Sequence, residues 1–222
     1  MLTIIGAAVA AGIIGVCGPY VLAHIPEPED PADDKVLYAD LAATPRLSLW
    51  LGLAAALAAG LVAFRIDLVW LVPVWVVMAG VGSWLAFIDW HTRLLPFVIV
   101  YPFNLIVFLL VLLAAMAEGD WSILKRGLIA GVVVYLVFRL MHRISRNGLG
   151  YGDVRLSFGL GVALGAIGAM EVFWGLWIGF ALGAVFSIIL SLFKLVDRKG
   201  FAFGPYLILG TLIGALWPPS FF

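Results

Sequence analysis

Cysteine is nearly missing from this chain, and charge is scarce. The one cysteine among 222 residues, Cys17, excludes an internal disulfide framework and any zinc site built on cysteine. Only 12% of the residues are charged, and 13 basic side chains face 13 acidic ones. No basic excess exists to hold a nucleic acid. A disordered chain is excluded as well, because disorder goes with low hydrophobicity and high net charge. What is present is apolar. Hydrophobic residues make up 64% of the chain, against about 45–50% in a soluble domain. The composition describes a protein that crosses a bilayer several times, in which each polar residue needs its own explanation.

A crossing helix needs roughly 20 mostly apolar residues. Eight stretches read as spans, at 2–23, 47–64, 68–88, 96–117, 123–141, 154–168, 172–193 and 202–217; the sixth and eighth are short and glycine-rich. Long unbroken apolar runs, rather than alternation over segments of about 10 residues, select helices over a β-barrel. The expected fold class is therefore all-α, a single polytopic transmembrane bundle of about eight spans occupying 1–222. The first span reads as a retained helix and not a signal peptide, since no Lys or Arg precedes Lys35 and no clear cleavage site follows it.

Eight spans divide the basic residues of the connections unevenly. Lys35, Arg46, Arg93, Arg139, Arg143, Arg146, Arg155, Lys194, Arg198 and Lys199 fall on one side, and Arg65, Lys125 and Arg126 on the other. Positive residues favour the cytoplasm. The expectation is a multi-pass protein of the cytoplasmic (inner) membrane with both termini outside. The segment 24–46 then becomes a short cytoplasmic loop with six carboxylates and four prolines. It reads as an irregular linker, with a short helix within 35–43.

Glycines recur four apart, at Gly127 and Gly131, Gly161 and Gly165, Gly175, Gly179 and Gly183, and Gly210 and Gly214. This spacing puts small residues on one helix face and lets backbones approach. Packing within one bundle is the expected use, ahead of dimerisation. Trp50, Trp70, Trp90, Trp121 and Trp217 sit near span ends, where interfacial anchors belong.

Two aspartates stand where a span meets the cytoplasmic side. Asp89 ends the third span and Asp153 opens the sixth, 64 residues later. A carboxylate at such a depth is costly, and intramembrane ionisable residues are candidates for function. For either one alone a plain interfacial role is as good a reading, and Asp153 also suits a helix N-terminus. The pair on one face suggests peptide hydrolysis. Two carboxyls about 3 Å apart do not both ionise easily, so they share a proton. The charged member can draw a proton from water while the other donates to the peptide carbonyl. Gly148, Gly150 and Gly152 precede Asp153 in alternation, a stretch with free φ and no side chains to block an extended substrate.

At these residues the chain resembles the type IV prepilin peptidases, membrane aspartic proteases with a Gly-x-Gly-Asp signature. Three separated pieces carry the resemblance: Asp89 with Arg93 and Leu95-Pro96; Gly150-Tyr-Gly152-Asp153-Val-Arg155-Leu156; and Ala202-Phe203-Gly204-Pro205-Tyr206. The resemblance implies that Asp89 and Asp153 are the catalytic pair. It implies a substrate class of prepilins or pseudopilins, cut after a glycine at the cytoplasmic face. Arg93, Pro96, Gly150, Gly152, Arg155, Gly204 and Pro205 are expected near substrate or in structural support. Basic leaders would be drawn to the acidic loop and to anionic headgroups.

Two departures from the family pattern bear on the expectation. The loop 24–46 is short and lacks the paired Cys-x-x-Cys of bifunctional members, so no cofactor is expected; S-adenosylmethionine would enter only with a methyltransferase activity. Phe97 stands where an Asp or Asn often follows the Leu-Pro.

Other classes fit less well. His24, His91 and His142 lack a His-Glu-x-x-His pattern, so no metal is expected. Ser83 has no matched base, and no phosphate-binding loop is present. A small proton- or ion-coupled transporter using the two aspartates, and a non-catalytic pilus or secretion assembly factor, are the rival classes. The transporter would place its acids near midbilayer on broken helices. Oligomeric state is not legible here.

Overall fold

The computed structural model describes residues 1–27, 36–145, 149–192 and 202–216. All regular structure among them is helical. The order is α1 (Leu2–Val16), α2 (Gly18–His24), α3 (Tyr38–Ala42), α4 (Leu47–Arg65), a 3₁₀ turn (Val69–Leu71), α5 (Val72–Thr92), α6 (Phe97–Glu118), α7 (Trp121–Ile144), α8 (Tyr151–Ile167), α9 (Ala169–Leu192) and α10 (Gly204–Leu216).

Five helical stretches among the described residues are long and apolar enough to cross a membrane: Leu2–His24, Leu47–Arg65, Val69–Thr92, Phe97–Glu118 and Ala169–Ile189. This is a multi-pass membrane protein. Three further helices, α7, α8 and α10, fall on the remaining expected spans but do not meet that measure of length and hydropathy. Of these, α7 carries Lys125 and Arg126 near its start and Arg139 and Arg143 near its end, α8 has 17 residues, and α10 has 13. The first span is continuous through Cys17, whose helical φ and ψ join α1 to α2, with Pro19 at the start of α2 where a missing N–H does no harm. The short helix expected in the acidic loop is α3. Residues 28–35 of that loop lie outside the described residues, as do Arg146, Gly148, Lys194, Arg198, Lys199 and Trp217.

Three tight pairings organise the bundle: α1 on α4, α7 on α8, and α9 on α10. Glycine makes each one possible. A Cβ added at Gly161 would lie 2.9 Å from Gly131 Cα, and one at Gly165 would lie 3.2 Å from Gly127 Cα. One at Gly214 would lie 2.5 Å from Gly175 Cα. The i, i+4 glycine faces thus meet each other inside one chain, as the spacing predicts.

The most deeply buried helices are α5, which packs on α1, α4, α6 and α10, and α8, which packs on α6, α7, α9 and α10. Trp75, Met78, Leu85 and Ile88 of α5 and Leu156, Leu160 and Leu164 of α8 are fully buried. The outward faces of α4, α6, α7 and α9 are lined with exposed Leu, Ile, Val and Phe. In water such a surface would be unstable, but against acyl chains it costs nothing. Trp50, Trp70, Trp90 and Trp121 are all exposed, as anchors at an interface must be.

Candidate active site

The C-terminal end of α5 and the N-terminal ends of α6, α8 and α10 converge at one end of the bundle. Arg93 stops α5 in a left-handed conformation (φ 55°), and its N–H donates to the carbonyl of Asp89 at 2.7 Å. Thr92 is buried, donates its hydroxyl to the Ile88 carbonyl at 2.8 Å and accepts from the Leu94 N–H at 3.3 Å. This ties the tight turn down. Pro96 then caps α6, its carbonyl taking the N–H groups of Ile99 and Val100. The turn leaves Asp89 in the last helical turns of α5, 4% exposed.

Oδ2 of Asp89 accepts a hydrogen bond from the backbone N–H of Gly204 at 2.9 Å. Gly204 is the first residue of α10, where free N–H groups and the helix dipole favour a negative partner. Asp153 lies in the first turn of α8 and is 6% exposed. Its carboxyl lies against Gly150, within electrostatic range of Asp89. Its Oδ1 is buried with no hydrogen-bond partner among the described residues. Two carboxyl groups so placed, at a bundle end rather than in mid-helix, can exchange protons with a polar group that enters between them.

Leu95 is a residue that the sequence motif contained without marking it as part of the site. A Cβ added at Gly152 would lie 2.8 Å from its Cβ, and one added at Gly204 would lie 3.4 Å from its Cδ1. Leu95 is therefore wedged between the starts of α8 and α10, and Gly152 is needed to admit it. Its place in the Leu95-Pro96 pair was the only sequence signal for it, and that signal did not say what it touches.

The glycines of Gly-x-Gly-Asp work differently from the expectation of free φ. Gly150 has an ordinary φ of −63° and caps α8, and Gly152 is inside the helix. Their use is space: a Cβ at Gly150 would stand 3.1 Å from Asp153 Oδ2. Gly204 and Pro205 are both buried at the start of α10 beside Asp89. The two arginines lie apart from this cluster. Arg93 is exposed, and Arg155 packs on Tyr151 and Tyr101, with Cζ 4.6 and 5.6 Å from the ring centroids.

The histidines stay separate, each with Nδ1 at a backbone carbonyl: His24 at Tyr20, His91 at Phe87 and His142 at Leu149. Ser83 donates to the Gly80 carbonyl of its own helix at 2.7 Å.

Comparison with curated proteins and with solved structures returns no match. Comparison with protein-family models matches residues 75–196 to the type IV leader peptidase family. The matched stretch takes in Asp89, Arg93, Pro96, Gly150, Gly152, Asp153 and Arg155, and ends before Gly204. With more than half its length matched, from the first turn of α5 into the segment after α9, this chain belongs to the type IV leader peptidase family.

Proposed function

We propose that this protein is an aspartic endopeptidase that removes the leader from prepilins or pseudopilins, cutting after a glycine at the cytoplasmic face, with Asp89 and Asp153 as the catalytic pair. The observation that carries this reading is the burial of both carboxyls together at one end of the bundle. Asp89, already accepting an N–H from the start of α10, suits the charged role. Asp153, with a buried oxygen that no donor satisfies, suits the role of proton donor.

The reaction then runs by general acid–base catalysis. Asp89 takes a proton from water as the water oxygen attacks the scissile carbonyl carbon. Asp153 gives its proton to the carbonyl oxygen. The tetrahedral diol collapses as the C–N bond breaks and the leaving nitrogen takes a proton from the pair. Gly150 and Gly152, lacking side chains, leave room for the substrate backbone beside Asp153. No cofactor enters these steps, and S-adenosylmethionine belongs only to a separate methyl transfer that the short loop at 24–46 does not favour.

The proposal includes eight spans with the acid-bearing end in the cytoplasm, in keeping with the uneven share of basic residues. A basic leader would lie there, near the acidic loop.

Asp89→Asn and Asp153→Asn, each assayed in membranes with a prepilin-like substrate, test the reading. Each is expected to abolish cleavage. Normal cleavage by either variant rejects the paired-acid mechanism, and solute uptake into proteoliposomes lost in both variants would assign the acids to transport instead.

A further inference from the structure

A cleft of about 590 Å³ lies between α6, α7 and α8 and takes no part in the acid-pair chemistry. Asp153 and Arg155 are two residues apart on α8, which turns their side chains about 200° from each other. One therefore faces Asp89 and the other faces this cleft. Its walls are mainly apolar. Leu105 and Phe108 of α6 and Leu128 and Val132 of α7 form most of its length. It opens sideways, since Tyr101, Leu105 and Val132 are 56%, 57% and 47% exposed on faces that meet the bilayer.

Its charged end is Arg155. The guanidinium is stacked between Tyr151 and Tyr101, and Nε is buried with no hydrogen-bond partner among the described residues. A stacked guanidinium is held flat and pre-organised for two-pronged binding of phosphate or carboxylate. A second guanidinium stands one hydrogen bond away: Arg139 donates to the Tyr135 hydroxyl, on the cleft wall, at 3.0 Å. The basic end lies within the first turns of α6 and α8, at the same bundle end as the acid pair, and the apolar walls run from there toward mid-helix.

We infer that this cleft binds one anionic phospholipid, with its headgroup phosphate on Arg155 and an acyl chain along Leu105, Phe108, Leu128 and Val132. The chemistry asks for an anion joined to a long apolar tail, at the depth of the headgroups, in a slot that opens to the bilayer. Basic pockets between membrane helices on the cytoplasmic side recognise such headgroups. The inference needs the membrane embedding but not the acid-pair chemistry, so the two fail separately.

The test is native mass spectrometry of the detergent-solubilised protein, titrated with phosphatidylglycerol and, separately, phosphatidylcholine. One phosphatidylglycerol is expected to be retained at about tenfold lower concentration than phosphatidylcholine, whose choline cation offsets its phosphate and weakens the contact with Arg155. Arg155→Gln is expected to erase the preference, Arg155→Lys to keep part of it, and Leu128→Trp to lower retention of both lipids. Inorganic phosphate at millimolar levels is expected to displace neither.

Equal retention of the two lipids by the unaltered protein overturns the inference, whatever the variants do. Displacement by inorganic phosphate overturns it in favour of a free anion. If Arg155→Gln leaves the lipid count unchanged but raises KM for a prepilin peptide, the cleft takes substrate and not lipid.

Discussion

Gly204 donates its backbone N–H to Asp89 Oδ2 at 2.9 Å across 115 residues of sequence. This bond joins the end of α5 to the start of α10, and it orients one of the two buried carboxyls. It also explains why a glycine stands there. A Cβ at position 204 would lie 2.8 Å from that same oxygen and 3.2 Å from Asp89 Cγ.

Gly204→Ala keeps the N–H but forces the carboxylate to turn. Displacing a reacting group by about 1 Å can lower a rate by about 10²-fold. A fall of that order is expected in kcat for a prepilin-like substrate, with the thermal midpoint in detergent nearly unchanged. Cleavage at the unaltered rate would show that the orientation of Asp89 is unimportant.

Gly210 of α10 packs onto Gly175 and Gly179 of α9, and an added Cβ would meet the backbone of both. Overpacking against backbone costs about 1–3 kcal/mol, so Gly210→Ala should unfold at lower temperature or lower denaturant. Gly6, on α1, has nothing within 4 Å of its Cβ position. Gly6→Ala should be neutral or gain up to about 1 kcal/mol from helix propensity. Equal effects at the two positions would contradict the α9–α10 contact.

Asp120 caps α7 from outside the spans, accepting from the Ser122 N–H and hydroxyl, both at 2.8 Å. The Ser122 hydroxyl, and then its N–H, hold the carboxyl below its ordinary value. A group whose folded value is depressed contributes stability above its unfolded value, and that contribution is lost as pH falls through the folded value. Asp120→Ala should therefore lower the thermal midpoint at neutral pH, with the gap closing as pH drops below about 4. A gap that stays constant with pH would mean the charge of Asp120 is irrelevant to the cap.

The helices, the apolar faces and the glycine pairings were legible because they are local. Hydropathy and a repeat of four are written along the chain, and backbone hydrogen bonding in lipid leaves the helix as the solution. The two aspartates stood out for the same reason, as charges where apolar residues belong. Tertiary structure alone decided which helices meet. Leu95 belongs to the Leu-Pro pair of the motif, but its contacts show only once the starts of α8 and α10 close on either side of it. Arg155 adjoins Asp153 in the motif, yet helix rotation turns it away to another cleft. Gly150 and Gly152 look like freedom of backbone and turn out to be freedom of space. Helical period fixes the direction of a side chain, but its partner depends on the rotation and register of packed helices, which side-chain volumes far apart in sequence set together.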